Sequence, residues 1–530
     1  MANGKNVTIS IVCLFEKISQ YSMQTYFIKF GEIEETLKEL ENNFKTMSLN
    51  EQNIVLNEMM NLIKNAAPWI KVHMLSFCMW VSHHEKYALK LLDYILNASY
   101  DEIGEYNKLS HFWQISAAQF LNQNLQTIDI NKKLDLLYVE LFQEFRNAFG
   151  LEKSVYIPWE ERNHDLVIVF SPQVLGMEHA PTKTLLDRCY VLKKQLKKEV
   201  IIINTAMQMP AKGQAPFYRL SNATYADELS QIDHLEFKGE TFEFYQCENK
   251  MPDLDIIAAV IRMIKSKKPE LIIGIGGSDI CADLCGLFIP QVTISTVFSK
   301  IAISCGRYQI VDKELSEEDN EELEILGVDP KNISKATFTF SFKEQTHQYS
   351  RKQLNLKEDR FILLIVGWRL DEEITDEFLE MLEGILTNNA NVWITFMGVF
   401  ELYDEKISRF IKLKKNSINL GKQMDALAVI ECCDLYVNPK RSGGGSSAAE
   451  ALYKGIPVVT LPNGDVSIAA GSEFWVKDYQ KMQDIIMKYV VDKDFYKEMS
   501  GVAKKRSQKL LDSERGFGDT VQKILMRQSF

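Results

Sequence analysis

Proline is nearly missing from the first 150 residues, Pro68 being the one example there, and nothing in that stretch therefore interrupts a helix from within. No apolar run reaches the roughly 18 residues that a membrane-spanning helix needs. Cationic excess is absent too. The formal charge is −11 and the pI is near 5.5, so no broad positive footprint exists for nucleic acid. The short lysine runs at 194–198 and 412–415 fall on predicted helix faces and read as solvated surface. Histidine is scarce, with eight in 530 residues and none after His347. His83 and His84 stand together without a carboxylate or cysteine at ligand spacing, and no metal site is expected. The nine cysteines are an odd, scattered set. Cys281 and Cys285 lie four apart on a predicted helix, unlike a zinc knuckle, and reduced thiols in a cytoplasm are the expectation. The apolar stretch at 7–15 is not followed by a small-residue cleavage site, so no secretion signal is expected.

What remains is an ordinary globular composition, 46% hydrophobic and 25% charged, at a length that suits two or three domains. Residues 1–155 read as helix. Apolar positions recur at three- and four-residue spacing through 33–44, 54–67, 87–96 and 134–149, without a 34-residue repeat. From His164 the pattern alternates: strands at 166–170, 200–204, 271–275 and 292–295, helices at 183–196 and 255–264, and a strand or hairpin within 237–245. A second alternating unit begins near Arg360, with strands at 361–366, 392–396, 418–420 and after Asp434. Its helices are at 376–386, 405–413 and 424–432, and two closing helices cover 479–490 and 495–511. Such alternation predicts two α/β units with parallel sheets, 156–350 and 351–530, behind an all-α domain at 1–155.

The most informative stretch runs from Asp434 to Asp465, DLYVNPKRSGGGSSAAEALYKGIPVVTLPNGD. A short strand ends near Asn438. Ser442, Gly443, Gly444 and Gly445 form a loop, and a helix opens on Ser446 and Ser447 with Glu450 one turn inside. Free amides and the dipole at a helix start favour phosphate, serines there are expected to cap, and glycines let a bulky diphosphate approach the backbone. A second cluster is Val366-Gly367-Trp368-Arg369-Leu370, between a strand and a helix. An arginine there suits bidentate phosphate contact, or else pairs with Asp371 or Glu372. A third is His179-Ala180-Pro181-Thr182, after the first strand of the 156–350 unit. Histidine titrates near neutrality and suits proton removal from a hydroxyl; its alternative is a loop residue capping the helix that starts at Thr182. Gly276, Gly277 and Ser278 follow a strand as half of a dinucleotide fingerprint and read as a tight turn lining a cleft. Asp253 and Asp255 read as helix caps.

The 439–459 run resembles the donor-sugar pocket of GT-B glycosyltransferases of the family 1 and 4 type, and Gly367 with Arg369 resembles their V-G-x-R-L element. The His179–Thr182 loop resembles the one that follows the same strand in protein O-linked N-acetylglucosamine transferases. The likeness spans roughly 160–515. It implies two doubly wound, Rossmann-like domains facing a cleft, and a cytoplasmic bacterial enzyme moving a hexosyl or N-acetylhexosaminyl group from a nucleotide-diphosphate sugar, a UDP-sugar, to a protein or glycan. It implies donor contacts from Gly367, Arg369, Asn438, Ser442, Gly443, Gly444, Gly445, Ser446, Ser447 and Glu450, and a general base in His179. Thr182, Gly276, Gly277 and Ser278 are implied on the acceptor side. Neither metal nor cofactor is expected, and a homo-oligomer is left open. Two features depart from that pattern. Many retaining members carry two glutamates bracketing the donor loop, and Ser442 stands at the first position. A lysine often follows the arginine, and here Asp371-Glu372-Glu373 follows; with His179 this leans toward inversion. The alternatives are a non-catalytic GT-B subunit of a glycosyltransferase complex and a UDP-sugar 2-epimerase, the latter disfavoured by the lack of histidine after His347. Tyr21, Tyr26, Trp80, Phe112 and Trp113 look exposed in the pattern yet are expected mostly to fill the core of the helical bundle. A protein acceptor or partner is expected to dock on residues 1–150, so that deleting them abolishes transfer and spares donor binding where the remainder stays folded.

Overall fold

A computed structural model describes residues 13–18, 20–98, 105–177, 179–208, 216–221 and 225–528. Helices fill the N-terminal region from residue 13 to Ala148. Local chemistry sets their ends. Ser48 and Glu51 form a reciprocal capping box ahead of Leu49–Ile63, and Pro68 opens Pro68–Ser82 at a position where its missing N–H is harmless. His83 closes that helix in a left-handed conformation, and His84 accepts from Lys86 N at the start of the next. Both histidines are thus structural.

The first α/β unit holds eight strands: β1 Asn163–Ser171, β2 Glu199–Asn204, β3 His234–Phe237, β4 Glu240–Gln246, β5 Pro269–Ile275, β6 Gln291–Ile294, β7 Tyr308–Val311 and β8 Ile333–Lys335. Their order is β3-β4-β2-β1-β5-β6-β7-β8. All neighbours are parallel except β3 and β4, an antiparallel hairpin turned by Lys238 and Gly239, both at positive φ. The second unit is a five-stranded parallel sheet, β9 Phe361–Gly367, β10 Val392–Gly398, β11 Ser417–Asn419, β12 Leu435–Val437 and β13 Val458–Val459, in the order β11-β10-β9-β12-β13. The direction of winding reverses between β1 and β5 in one sheet and between β9 and β12 in the other. Loops at the carboxyl ends of those strand pairs diverge and leave room for ligand.

Side-chain alternation in β1 explains why the three regions form one body. Leu166, Ile168 and Phe170 join a core shared with the helical region, whereas Val167 and Val169 face a second core that continues into the C-terminal unit. The helical region therefore covers one face of the first sheet, with Tyr138 OH donating to Asp283 at 2.8 Å across the junction. Cutting the helical region away would expose an apolar sheet face, so a folded remainder is the condition that a deletion has to meet. Tyr26, Trp80 and Phe112 are buried in that core, and Tyr21 and Trp113 are partly buried against it.

Several elements differ from the sequence expectation. The segment at 405–413 is two short helices, Tyr403–Ile407 and Ile411–Asn416, broken where Phe410 turns inward. The acidic segment at 314–324 holds helix Glu317–Leu326, opened by a Ser316–Asp319 capping box and closed by Gly327 in the left-handed conformation. Helix Lys493–Leu511 lies along helix Gly445–Tyr453, and its last turn accepts from Phe340 N through Leu510 O at 2.8 Å. The return to the first unit is made by the last residues. Ser513 Oγ donates to Asp187 at 2.6 Å and Gln195 Nε2 to Asp519 at 2.8 Å.

Candidate functional site

Two loops meet at the carboxyl ends of β9 and β12. Gly367 ends β9, and a Cβ on it would fall 2.7 Å from Leu370, 2.9 Å from Arg441 and 3.0 Å from Glu373. Its lack of a side chain lets three neighbours converge. Arg369 follows at the start of a one-turn helix, and its Nη2 pairs with Glu373 Oε1 at 3.0 Å, not with Asp371 or Glu372. The other oxygen of Glu373 accepts from Arg441 Nη1 at 2.8 Å. Arg441, 3% exposed, also donates to Asn438 Oδ1 at 2.8 Å and to Tyr436 OH at 2.7 Å. One carboxylate thus braces two guanidinium groups, leaving a net positive charge under the loop. Arg441 is held so fully that its role is to shape the loop, while Arg369, about one-third exposed, faces outward.

Asn438 spends its amide on Arg441 and on Thr460 Oγ1, so it anchors the loop with its side chain rather than reaching a ligand. Gly444 sits at φ 97° and is the residue before helix Gly445–Tyr453. A Cβ there would stand 2.6 Å from Arg441. The serines do not cap this helix: Ser447 Oγ donates back to Gly444 O at 2.9 Å and contacts Tyr436 OH, and no side chain caps the N-terminus. Capping serines would compete for amides that an anion could take, so their disengagement leaves the helix start more open to phosphate than the sequence suggested. Ser446 and Glu450 lie half-buried on the first turns of the same helix.

The first unit touches this loop through residues that sequence reading missed. The segment after β6 presses Phe298 against Gly445, where a Cβ would stand 2.5 Å from the ring. Ser299 N donates to Asp465 Oδ1 at 3.0 Å, and Asp465 N donates to Ser442 O at 2.7 Å. Burial pushes the Asp465 carboxyl up to about 7. The helical region arrives as well. Arg369 lies over the Phe120 ring at 4.6 Å, and Gln126 Nε2 donates to Ser442 Oγ. Position 442 therefore carries a buried hydroxyl already bonded to another region of the chain.

His179 precedes helix Ala180–Lys194, one turn earlier than expected, and its side chain caps no backbone amide. Its Nδ1 lies 3.1 Å from Thr182 Oγ1, which also accepts from Leu175 N at 3.0 Å. Burial, reinforced by Lys183, pulls its pKa down to about 4, so the imidazole is neutral near pH 7. The tautomer with hydrogen on Nδ1, donated to Thr182, leaves Nε2 with the lone pair a base requires. Gly276, Gly277 and Ser278 form the expected tight turn after β5, all at positive φ. Gly276 abuts Pro172, Gly277 abuts Ala302 and Ile303, and Ser278 N donates to Ile303 O at 2.6 Å. This turn is locked against the segment at 302–303. No hydrogen bond joins it or His179 to the donor loop among the described residues. Asp253 accepts from Asp255 N and Ile256 N as a helix cap.

Residues 347–506 match the family model described as Glycosyl transferases group 1, a span holding every donor-loop residue above. An O-GlcNAc transferase mutant of Thermobaculum terrenum is similar in structure across 99% of this chain and 98% of its own, at 12% identity and a TM-score of 0.55. HepE of Anabaena, solved with UDP and glucose, covers 69% of this chain and 100% of its own at 15% identity and a TM-score of 0.46. No curated protein sequence matches the chain. The two doubly wound units and the structural likeness show a GT-B fold, and its C-terminal half matches the group 1 glycosyl transferase model over residues 347–506.

Proposed function

We propose that the protein transfers a hexosyl or N-acetylhexosaminyl group from a UDP-sugar to a hydroxyl of a protein or glycan acceptor, without a metal. The observation that carries this reading is the donor loop itself: an uncapped helix start behind three glycines, with Arg369 facing outward beside it. In the transfer, the anomeric carbon leaves the β-phosphate oxygen and bonds to the acceptor oxygen. The acceptor proton passes to His179 Nε2. The departing UDP is neutralised by Arg369 and the helix amides, preorganised before the reaction begins. Structural likeness to an O-GlcNAc transferase supports an N-acetylhexosamine donor. A panel of UDP-, GDP- and dTDP-sugars, assayed for hydrolysis and for transfer to peptides and oligosaccharides, tests the proposal. Turnover with UDP-sugars alone is expected. No turnover and no thermal shift with any donor would refute it. Binding without turnover would instead favour a non-catalytic subunit, and an epimerised product without acceptor would favour a 2-epimerase.

A further inference from the structure

The turn between the last two helices of the helical region reaches the donor loop from more than 300 residues away in sequence. Helix Glu105–Leu121 delivers Phe120, whose ring lies under Arg369 and touches Gly443; a Cβ on Gly443 would meet both at 3.4 Å. The next turn, Gln123–Leu125, is fixed from behind. Leu125 is buried in the helical core, and Asn122 accepts from Asn124 N at 3.0 Å while its Nδ2 meets His83 Nδ1 at 2.8 Å. From this anchored base two amides face the loop. With its oxygen turned toward the loop, Gln123 accepts from Arg441 N and Ser442 N, each at 3.2 Å. Gln126 spends both hydrogens of Nε2, on Gln119 O at 3.1 Å and on Ser442 Oγ.

The opposite end of one amide remains open. Gln126 Oε1 makes no hydrogen bond to any described residue, whereas Gln123 is satisfied once its oxygen faces the loop. An acceptor therefore stands at the edge of Ser442. A hydroxyl can donate to it, whereas phosphate, which only accepts near neutrality, cannot, so this oxygen suits a sugar hydroxyl. The short side chain of Ser442 leaves the room that Gln126 enters.

We propose that Gln126, on a turn that Gln123 ties to the loop, forms the wall of the donor site that reads the sugar, so that the helical region, and not the C-terminal unit alone, sets donor specificity. The inference rests on the donor-site reading above, and it names a residue of the helical region for a task the donor unit would otherwise perform. Because both amides are already held by the loop and by Gln119, Gln126 meets the sugar preorganised, and little ordering is needed on binding.

The test uses the full chain and calorimetric titration with UDP, UDP-glucose, UDP-galactose, UDP-N-acetylglucosamine and UDP-N-acetylgalactosamine. For Gln126→Ala, affinity for UDP is expected to stay within about twofold of the unsubstituted protein. The preference for the best sugar over its C4 epimer or N-acetyl counterpart is expected to shrink by roughly 5- to 10-fold, the worth of one hydrogen bond. Gln126→Asn withdraws the amide by one methylene without removing it, and gives the same narrowing if the alanine variant does not fold. An unchanged preference in a folded variant overturns the proposal. So does a parallel loss of UDP and UDP-sugar affinity, which would make Gln126 a mere support for the loop. Failure of the unsubstituted protein to bind UDP at all would overturn the donor-site reading itself.

Discussion

Replacing Asp135 by asparagine tests whether a carboxyl group is kept neutral where the three regions meet. Asp135 lies on helix Ile128–Ala148, is 1% exposed, and its Oδ2 has no hydrogen-bond partner among the described residues. Burial pushes its pKa up to about 8, Glu322 adds to the rise, and Lys300 opposes it. A carboxyl whose folded pKa is raised binds more protons folded than unfolded. Its stabilisation is fully present below the unfolded value of 3.8 and is lost as pH climbs toward 8. At pH 7 about three units of that window have been crossed, which at 1.36 kcal/mol per unit amounts to roughly 4 kcal/mol. Asparagine is neutral at every pH and removes this loss. Asp135→Asn should therefore melt close to the unsubstituted protein at pH 4.5 and higher at pH 7. At about 2.1 cal/mol/K per residue, 4 kcal/mol corresponds to a shift of roughly 4 °C for a cooperative chain of this length. Thermal melts between pH 4.5 and 8 measure the difference. A constant offset between the two proteins across that range would refute a neutral buried carboxyl at this position.

Other variants probe the loop and the base. Gly464 has φ 71°, and a Cβ on it would fall 2.1 Å from Arg441 O, so Gly464→Ala should lower stability by about 2 kcal/mol or more and weaken UDP binding. Gly501, in helix Lys493–Leu511 with nothing within 4 Å of its Cβ position, is the contrast: Gly501→Ala should stabilise by roughly 0.5–1 kcal/mol in the same melts. Arg369→Ala should weaken UDP about 10- to 100-fold by calorimetry, the range of charged hydrogen bonds lost from a diphosphate; an unchanged affinity would place the diphosphate elsewhere. His179→Ala should reduce transfer by about 10²–10⁴ while leaving UDP affinity intact. Because the neutral imidazole is the base and its pKa is about 4, transfer should fall only as pH drops through that value, not near 6.5.

The two parallel sheets and the donor loop were legible in the sequence because both rest on local patterns. Apolar runs at 361–366 and 392–396 alternate with amphipathic helices, and glycine at 443–445 has meaning only where a backbone must come close. Boundaries at 405–413 were not legible, since the break at Phe410 depends on a core that no window of ten residues contains. The serines at 446 and 447 carried the usual signal of a cap. The hydroxyl of Ser447 instead turned to Tyr436 on a neighbouring strand.

The sequence by itself determined the likeness of residues 347–506 to group 1 glycosyl transferases, because strand, glycine loop, helix and re-entry strand follow one another within a short span. It also determined the helical character of the described residues up to Ala148. Only the tertiary structure decided what those helices do. The face they bury is the apolar side of the first sheet, and the turn they project lands on Ser442 and Arg369. Contacts between residues 126 and 442 leave no periodic trace in a single chain, because each glutamine looks like any polar loop residue until folding brings its partner within hydrogen-bonding reach. Glu373 shows the same limit from close by. In the sequence it stood only as an acid after Arg369, but Arg441 on the other loop gave it a second guanidinium.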